Sequence, residues 1–508
     1  MTKYIGATIG PIFATLMEAK TTKEMWGSSY LFSYIMKKII EEIKEKEFLI
    51  PYKGTEYLKK ENQAGLYHDR FIIKLNSEED FDDIIKAKEK IFENLAEAIS
   101  EENIVEYLNK YIKFNIVEVD VKEDENPIFK VSNYLDVLEL QPQLCTNKLK
   151  QDYIMNYFNE KENNIFTEDA FGEEKDKFKI KSLPEIAIKA ILDNENIKLE
   201  EKNKIEKNFE NHVENDDDEA YKILSKYKDI FRKHHKYYAT IRCDGDNIGK
   251  IIRTISKNKY QDFSENLFKF SENNVKLINT YGGLTIYAGG DDLLLFAPII
   301  NGEKNIFTLI EEISDNFQKT IKREYDEILK EEERPTLSFG VDIRYYKDSM
   351  SKSISESANM LFVKAKKYEG KYKESNAKKK ENEKKDYEKN AIGIKVNKHS
   401  GSEIEFVVSK EKGSFYTELK NMLNINYENN LLKSMIYTLE EQIILLEQII
   451  NNEEKIEEFF NNKFKKECHE NLDKIKDLFK TCKKDEDIKT SINILKFMAF
   501  LSEKGGEE

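Results

Sequence analysis

Apolar residues along this chain change their spacing several times, and each change marks an element. From Tyr4 to Phe13 they run almost unbroken apart from Gly6, Gly10 and Pro11, which predicts a strand leading into a loop. From about Thr22 to Glu47, Met25, Tyr30, Leu31, Tyr34, Ile35 and Ile39 recur at helical spacing. Strand-like pieces follow at Phe48–Pro51 and Phe71–Leu75, then a helix near Phe81–Glu101, so residues 1–125 read as an α+β unit. Between Asn126 and Lys233 the strands thin out and acidic helices dominate, with a low-complexity tract at Asn215–Glu219; residues 126–235 read as a helical insertion.

At Tyr237 the texture changes again. YYATIRC alternates as a strand, DGDNIGK follows, and a long helix runs to about Tyr281. LTIYA and LLLFA flank the turn GGDD, a hairpin signal. A helix over Asn305–Glu331, the strand TLSFGVDIRYY and a helix over Ser353–Tyr368 complete a strand–helix–strand–strand–helix–strand order, the ferredoxin-like pattern. A Lys/Glu run, Lys371–Lys389, reads as an exposed loop or solvated helix, and strands at Ala391–Val396 and Ile404–Val408 close residues 236–410. Residues 411–508 are helical from about Ser414, ending in EKGGEE, expected to fray.

Composition narrows the class. The 508 residues exceed one ordinary domain, and 30 Phe and 27 Tyr supply cores although 35% of residues are charged. No apolar run approaches the roughly 20 residues that span a bilayer, so no membrane partner and a cytoplasmic location are expected. Cys145, Cys243, Cys468 and Cys482 form no CxxC pair, which argues against a disulfide framework or zinc ribbon. The net charge of −14 means that any contact with nucleic acid runs through local patches or partner subunits.

Two acidic clusters carry the candidate chemistry. Asp244 and Asp246 stand where the first strand of the ferredoxin-like unit ends; Asp291 and Asp292 stand on the turn between its second and third. In that fold the first and third strands are the central pair, so the clusters meet. Carboxylates so close repel without a divalent cation, and oxygen-only ligands favour Mg²⁺ or Mn²⁺. Two such ions support in-line displacement at phosphorus. Gly289 and Gly290 let backbone approach a nucleotide; Gly245 and Gly249 permit a tight turn with N–H groups toward phosphates, which adds Asn247 and Ile248 to the cofactor-binding set. Taken singly, GGDD is an ordinary hairpin turn and DGDN an ordinary loop. An EF-hand is excluded because Ile255 stands where its bidentate Glu belongs.

DGDNIGK, YAGGDDLLLFAP, SFGVDI and AKKYEGK resemble the palm of class III and diguanylate cyclases. More narrowly, with IGPIFATLMEAKTTKEMWGSSYLFS and NKHSG, the chain is similar to the large polymerase–cyclase subunit of type III CRISPR effector complexes, Cmr subtype. The resemblance implies two ferredoxin-like palms, of which only the second holds metal; the first strand, YIGATIG, indeed has no carboxylate. It implies Asp244 and Asp292 as metal ligands, with Gly245 beside them, Asp291 helping to hold the site and Asp246 as a weaker candidate. Lys250 and Lys366 would face the triphosphate, though each reads equally as a solvated helix lysine. Implied partners are other effector subunits, guide RNA and target RNA, with ATP as substrate.

The family's HD nuclease and zinc cysteines have no counterpart here: only His68 precedes residue 200, and His68-Asp69 reads as incidental, so no DNase activity is expected. The C-terminal stripe Leu439, Ile443, Leu446, Ile449 and Ile450 reads as a core or as a seat for a small helical subunit. A diguanylate cyclase and a scaffold with a vestigial site are the rival readings. Some relatives join the adenylyl group to S-adenosylmethionine, whose two positive charges call for acids. Asp69 and Glu139 are the acids implied there, with the plainer alternative that Asp69 pairs with Arg70 or caps a strand.

Overall fold

In the computed structural model the chain is described at residues 1–54, 58, 63–101, 103–141, 153–160, 164–172, 179–210, 214–322, 325, 329, 334–368, 389–411, 414–423, 429–464, 471–482 and 485–505. The run Lys371–Lys389 thus lies outside the described residues except for Lys389, as do Cys145 and Cys468.

The first unit is built from β1 (Thr2–Gly10), α1 (Ile12–Glu18), α2 (Thr22–Glu42), β2 (Glu47–Ile50), β3 (Arg70–Lys74), α3 (Glu79–Ile99), α4 (Ile104–Tyr111) and β4 (Lys113–Val121). Its strand order, β2-β3-β1-β4, is the ferredoxin-like one. The expected loop after β1 is the helix α1, and the strand Lys113–Val121 completes a unit in which only three strands were expected. Helix α2 starts sharply because Thr21 and Glu24 form a capping box. Nearly every side of α2 is buried, since it lies between the sheet and the helices Tyr153–Glu160 and Ile165–Phe171. Trp26 stacks on Tyr30 and Phe171, and Asp169 takes hydrogen bonds from Tyr30 at 2.8 Å and Lys37 at 2.9 Å.

One boundary shifts. Helix α5 (Pro127–Glu139), assigned from sequence to the insertion, packs on β1 and β4, so the first unit runs to Glu139 rather than 125. Gly6 makes this approach possible: a Cβ there would sit 2.3 Å from Val131. At its start, Asn126 caps α5 and also donates to Ile252 and Tyr260 of the second unit. The rest of residues 140–235 is mostly helical where described.

The second unit holds β5 (Tyr237–Asp246), α6 (Ile248–Thr254), α7 (Tyr260–Tyr281), β6 (Leu284–Gly289), β7 (Asp292–Pro298), α8 (Ile306–Phe317), β8 (Thr336–Tyr345), α9 (Met350–Asn359), β9 (Ala391–Asn397) and β10 (Glu403–Ser409). Its order is β10-β9-β8-β5-β7-β6, so β5 lies between β7 and β8 as the ferredoxin-like pattern requires. Strand β9 extends the sheet in parallel to β8. The described residues from Ser414 onward are mostly helical, as expected, but the tail does not fray at once. The Gly505 N–H donates to the Phe231 carbonyl, and Glu503 accepts from Lys433 and pairs with Lys233.

Just before β5, His234 and His235 are buried with ring centroids 4.1 Å apart. His234 Nδ1 donates to the Leu501 carbonyl at 3.0 Å, and His235 Nδ1 accepts from the Arg232 N–H at 2.9 Å. Burial lowers His234 from 6.5 to about 4, and burial plus its neighbour His234 also lowers His235. The unfolded chain therefore binds more protons than the folded one between about pH 6.5 and 4, and stability is lost as pH falls through that window, by on the order of 3 kcal/mol from His234 alone. Denaturant titrations across this range should show the loss, and His234→Asn, which keeps a donor toward Leu501, should show a shallower one.

Candidate active site

The two acidic clusters meet because of strand register. The last pair between β5 and β7 is Cys243 with Leu293, so one step further Asp244 and Asp292 stand opposite each other on the same face. Gly289 pairs with Asp292 across the hairpin, leaving Gly290 and Asp291 as the turn. Gly290 has φ +65°, a conformation that favours glycine, and its carbonyl accepts from Ser271 Oγ at 3.1 Å.

Asp291 binds the two clusters together. Its carboxylate lies against Gly245, where a Cβ would be 2.5 Å from Oδ2, and it accepts the Gly245 N–H. Gly245 thus admits a carboxylate. The tight turn is made instead by Asn247, at φ 64°, whose side chain donates to the Arg334 carbonyl; Gly249 sits inside α6 with Phe129 at ordinary contact distance. Ile248 packs into the core beneath the turn, and Lys250 lies in the first turn of α6.

Asp246 is a structural acid. It is wholly buried, and one oxygen accepts from Thr336 and Ser338 at 2.8 Å and from the Asn390 N–H at 3.2 Å, tying β5 to β8. Asp244, Asp291 and Asp292 stay partly accessible. Burial, then repulsion from Asp292, raises Asp291 to about 7; burial raises Asp292 to about 6, opposed by Arg242.

Lys366 is the local counter-ion. Its ammonium pairs with Asp244 Oδ2, donates to the Gly245 carbonyl at 3.1 Å and lies 3.7 Å from Asp246 Oδ1. Burial lowers it to about 8. Among the described residues no three His, Cys, Asp or Glu side chains form a ready-made metal cluster. The donors nevertheless fit Mg²⁺ or Mn²⁺: a cation already sits on Asp244 and Gly245, all donors are oxygens, and Asp292 Oδ1 is buried without a hydrogen-bond partner.

The first unit reaches this turn. The Ala288 N–H donates to the Gly65 carbonyl at 3.2 Å, and Gly65 bridges Tyr287. His68, read from sequence as incidental, packs so tightly that a Cβ on Gly290 would be 2.2 Å from its Cε1. No local pattern announces that contact, because it joins residues more than 200 positions apart. Asp69 follows; burial raises it to about 6, and Asp292 is among the charges that repel it. Glu139 does not join them. It accepts from Arg70 at 2.6 and 3.0 Å and from Thr8, and Arg70 also binds Asp136 at 2.7 Å.

Residues 237–392 match the family model described as Cas10/Cmr2, second palm domain, and residues 4–104 match that of CRISPR-associated protein Cmr2, N-terminal; together they cover just over half of the chain. A curated relative, the CRISPR system Cmr subunit Cmr2 of Pyrococcus furiosus, is 26% identical over 197 residues, covering 33% of this chain. The match spans only 22% of that relative's length. Among solved structures, a type III-B Cmr-beta complex in the apo state aligns with TM-score 0.55 and 12% identity over 99% of this chain and 82% of the other. A Csm1–Csm4 cassette in complex with AMPPNP aligns at 0.53 and 11% over 99% and 70%. At such identities these likenesses speak for the fold.

Replacing Gly290 with Ala should cost about 1–2 kcal/mol from the left-handed backbone alone, with more from the His68 clash. In a denaturant double-mutant cycle, His68→Ala should recover the clash and leave the backbone cost, giving a coupling of about 0.5 kcal/mol or more.

Proposed function

Because the chain belongs to the Cas10/Cmr2 family of type III CRISPR subunits, we propose that it is a nucleotidyltransferase that makes an adenylate second messenger from ATP when its effector complex binds target RNA. The observation that carries this is the facing pair Asp244 and Asp292 at the ends of the two central strands, with Asp291 bound across them. A 3′-hydroxyl oxygen attacks an α-phosphorus, the bond to the β-phosphate bridging oxygen breaks, pyrophosphate leaves and the hydroxyl proton passes to solvent. Asp244 and Asp292, with the Gly245 carbonyl, would hold Mg²⁺ or Mn²⁺, which when bound supplies neutralisation of phosphate charge and a more acidic hydroxyl. Asp291 fixes the turn, and Asp246 fixes β5 from behind. Lys366, released from Asp244, offers its ammonium to phosphate oxygens.

The partners in this reading are the other effector subunits, guide RNA and target RNA. The scaffold alternative draws on one observation, the closure of Lys366 on Asp244, which places a lysine on an oxygen that a metal would need. Pyrophosphate release by the assembled complex with ATP, Mg²⁺ and cognate RNA separates the two. Asp244→Ala and Asp292→Ala should each reduce release by about a thousandfold or more while the melting temperature holds. A wild-type complex that releases none sinks the nucleotidyltransferase.

The acceptor is the finer question. Asp69, whose charge Asp292 repels, suits a positively charged acceptor such as S-adenosylmethionine better than a second triphosphate; Glu139 is already neutralised by Arg70 and contributes less. Product mass should therefore change when S-adenosylmethionine is added to ATP, and Asp69→Asn should abolish the change while sparing ATP-only turnover. Identical products with and without the cofactor would assign the complex to oligoadenylate synthesis instead.

A further inference from the structure

Two residues beside the carboxylates have no role so far beyond the charge that Arg242 sets against Asp292. Arg242 stands two positions before Asp244 on β5, so both side chains leave the same face of the sheet. It is only partly exposed, yet among the described residues its guanidinium makes no hydrogen bond and no ion pair; it lies over the Phe362 ring, 5.1 Å from the centroid. A half-buried guanidinium carries five N–H donors that want acceptors.

Phe362 is equally out of place as a core residue. It is 38% exposed, on the π-helical turn Met360–Lys364 that continues α9, and the Lys366 ammonium lies 5.9 Å from its ring centroid. Such turns re-aim side chains, and this one is held hard against the sheet. A Cβ on Gly340 would be 2.1 Å from the Ser357 carbonyl, and one on Gly393 would be 2.5 Å from that of Met360. The guanidinium carbon thus lies over the ring, while among the described residues no acceptor takes its N–H groups.

We propose that Arg242, lying over Phe362, is the phosphate clamp of this site: its in-plane N–H pair grips non-bridging oxygens of the nucleotide's polyphosphate, with Phe362 as the positioning residue. A planar fork suits that bidentate grip, which a lysine cannot reproduce. The proposal rests on the nucleotidyl-transfer reading and adds to it the group that recognises phosphate independently of the metal ligands.

Calorimetric titration of the full chain with Mg²⁺–ATP and with adenosine tests it. Arg242→Gln should weaken ATP by about tenfold or more and leave adenosine within about twofold, with Arg242→Lys between wild type and Gln. Phe362→Leu, which keeps bulk but loses the flat face, should weaken ATP by about threefold, again without touching adenosine. If both arginine variants bind ATP like wild type, or lose adenosine in the same proportion, the clamp is wrong while nucleotidyl transfer stands. If the wild-type chain binds no ATP, both readings fall. Should Arg242→Gln not fold, Arg242→Lys and Phe362→Leu decide by the same comparison.

Discussion

Three carboxylates at the mouth of a hairpin cannot all ionise without a cation, and much of the second unit answers that constraint. Asp244 and Asp292 face each other by register, and Asp291 is drawn onto the Gly245 N–H. Asp246, two residues from Asp244, escapes the conflict by taking three hydrogen bonds from β8 and the start of β9. What charge remains is met by Lys366 on one side and Arg242 on the other. Desolvation is tolerable here because each acid either has a donor or lies within reach of a cation.

The ammonium on Asp244 is tethered by its own chain, so a divalent ion at the same oxygens would compete with it. Lys366 occupies oxygens that a divalent ion would need, and its ammonium is itself weakened by burial, to about 8. A divalent ion held by Asp244 and the Gly245 carbonyl would carry twice the charge without a stem, and Lys366 would then lie within reach of phosphates bound with it.

The second unit was legible in the sequence to within a residue or two at most strands, because alternation and turn chemistry are local. GGDD between two apolar runs specifies a hairpin, and the ferredoxin-like order then forces Asp244 beside Asp292. The first unit is less so: KFNIVEVDV alternates but lies beside a long charged stretch, and nothing local in α5 separates it from the insertion, since its seat is the space over Gly6. Roles assigned by residue type fared unevenly. Gly249 is an ordinary helix position and Asn247 makes the turn, since either residue tolerates the left-handed region. Contacts across sequence, such as His68 on Gly290 or Arg70 on Glu139, leave no periodic trace.

The two sheets share one topology, and that symmetry explains where the first unit touches the second. In each, the connection between the second and third strands projects from the same corner: Gly290–Asp291 in one, the long stretch 51–69 in the other. These two connections meet, Gly65 with Tyr287 and Ala288, His68 with Gly290. A two-residue turn can present acids but cannot enclose anything. The connection between β2 and β3 is longer, and its described end sets Asp69 opposite Ile9 of β1, a strand with no carboxylate of its own. The short connection thus holds Asp291 and Asp292, and the described end of the long one adds Asp69, whose charge Asp292 repels.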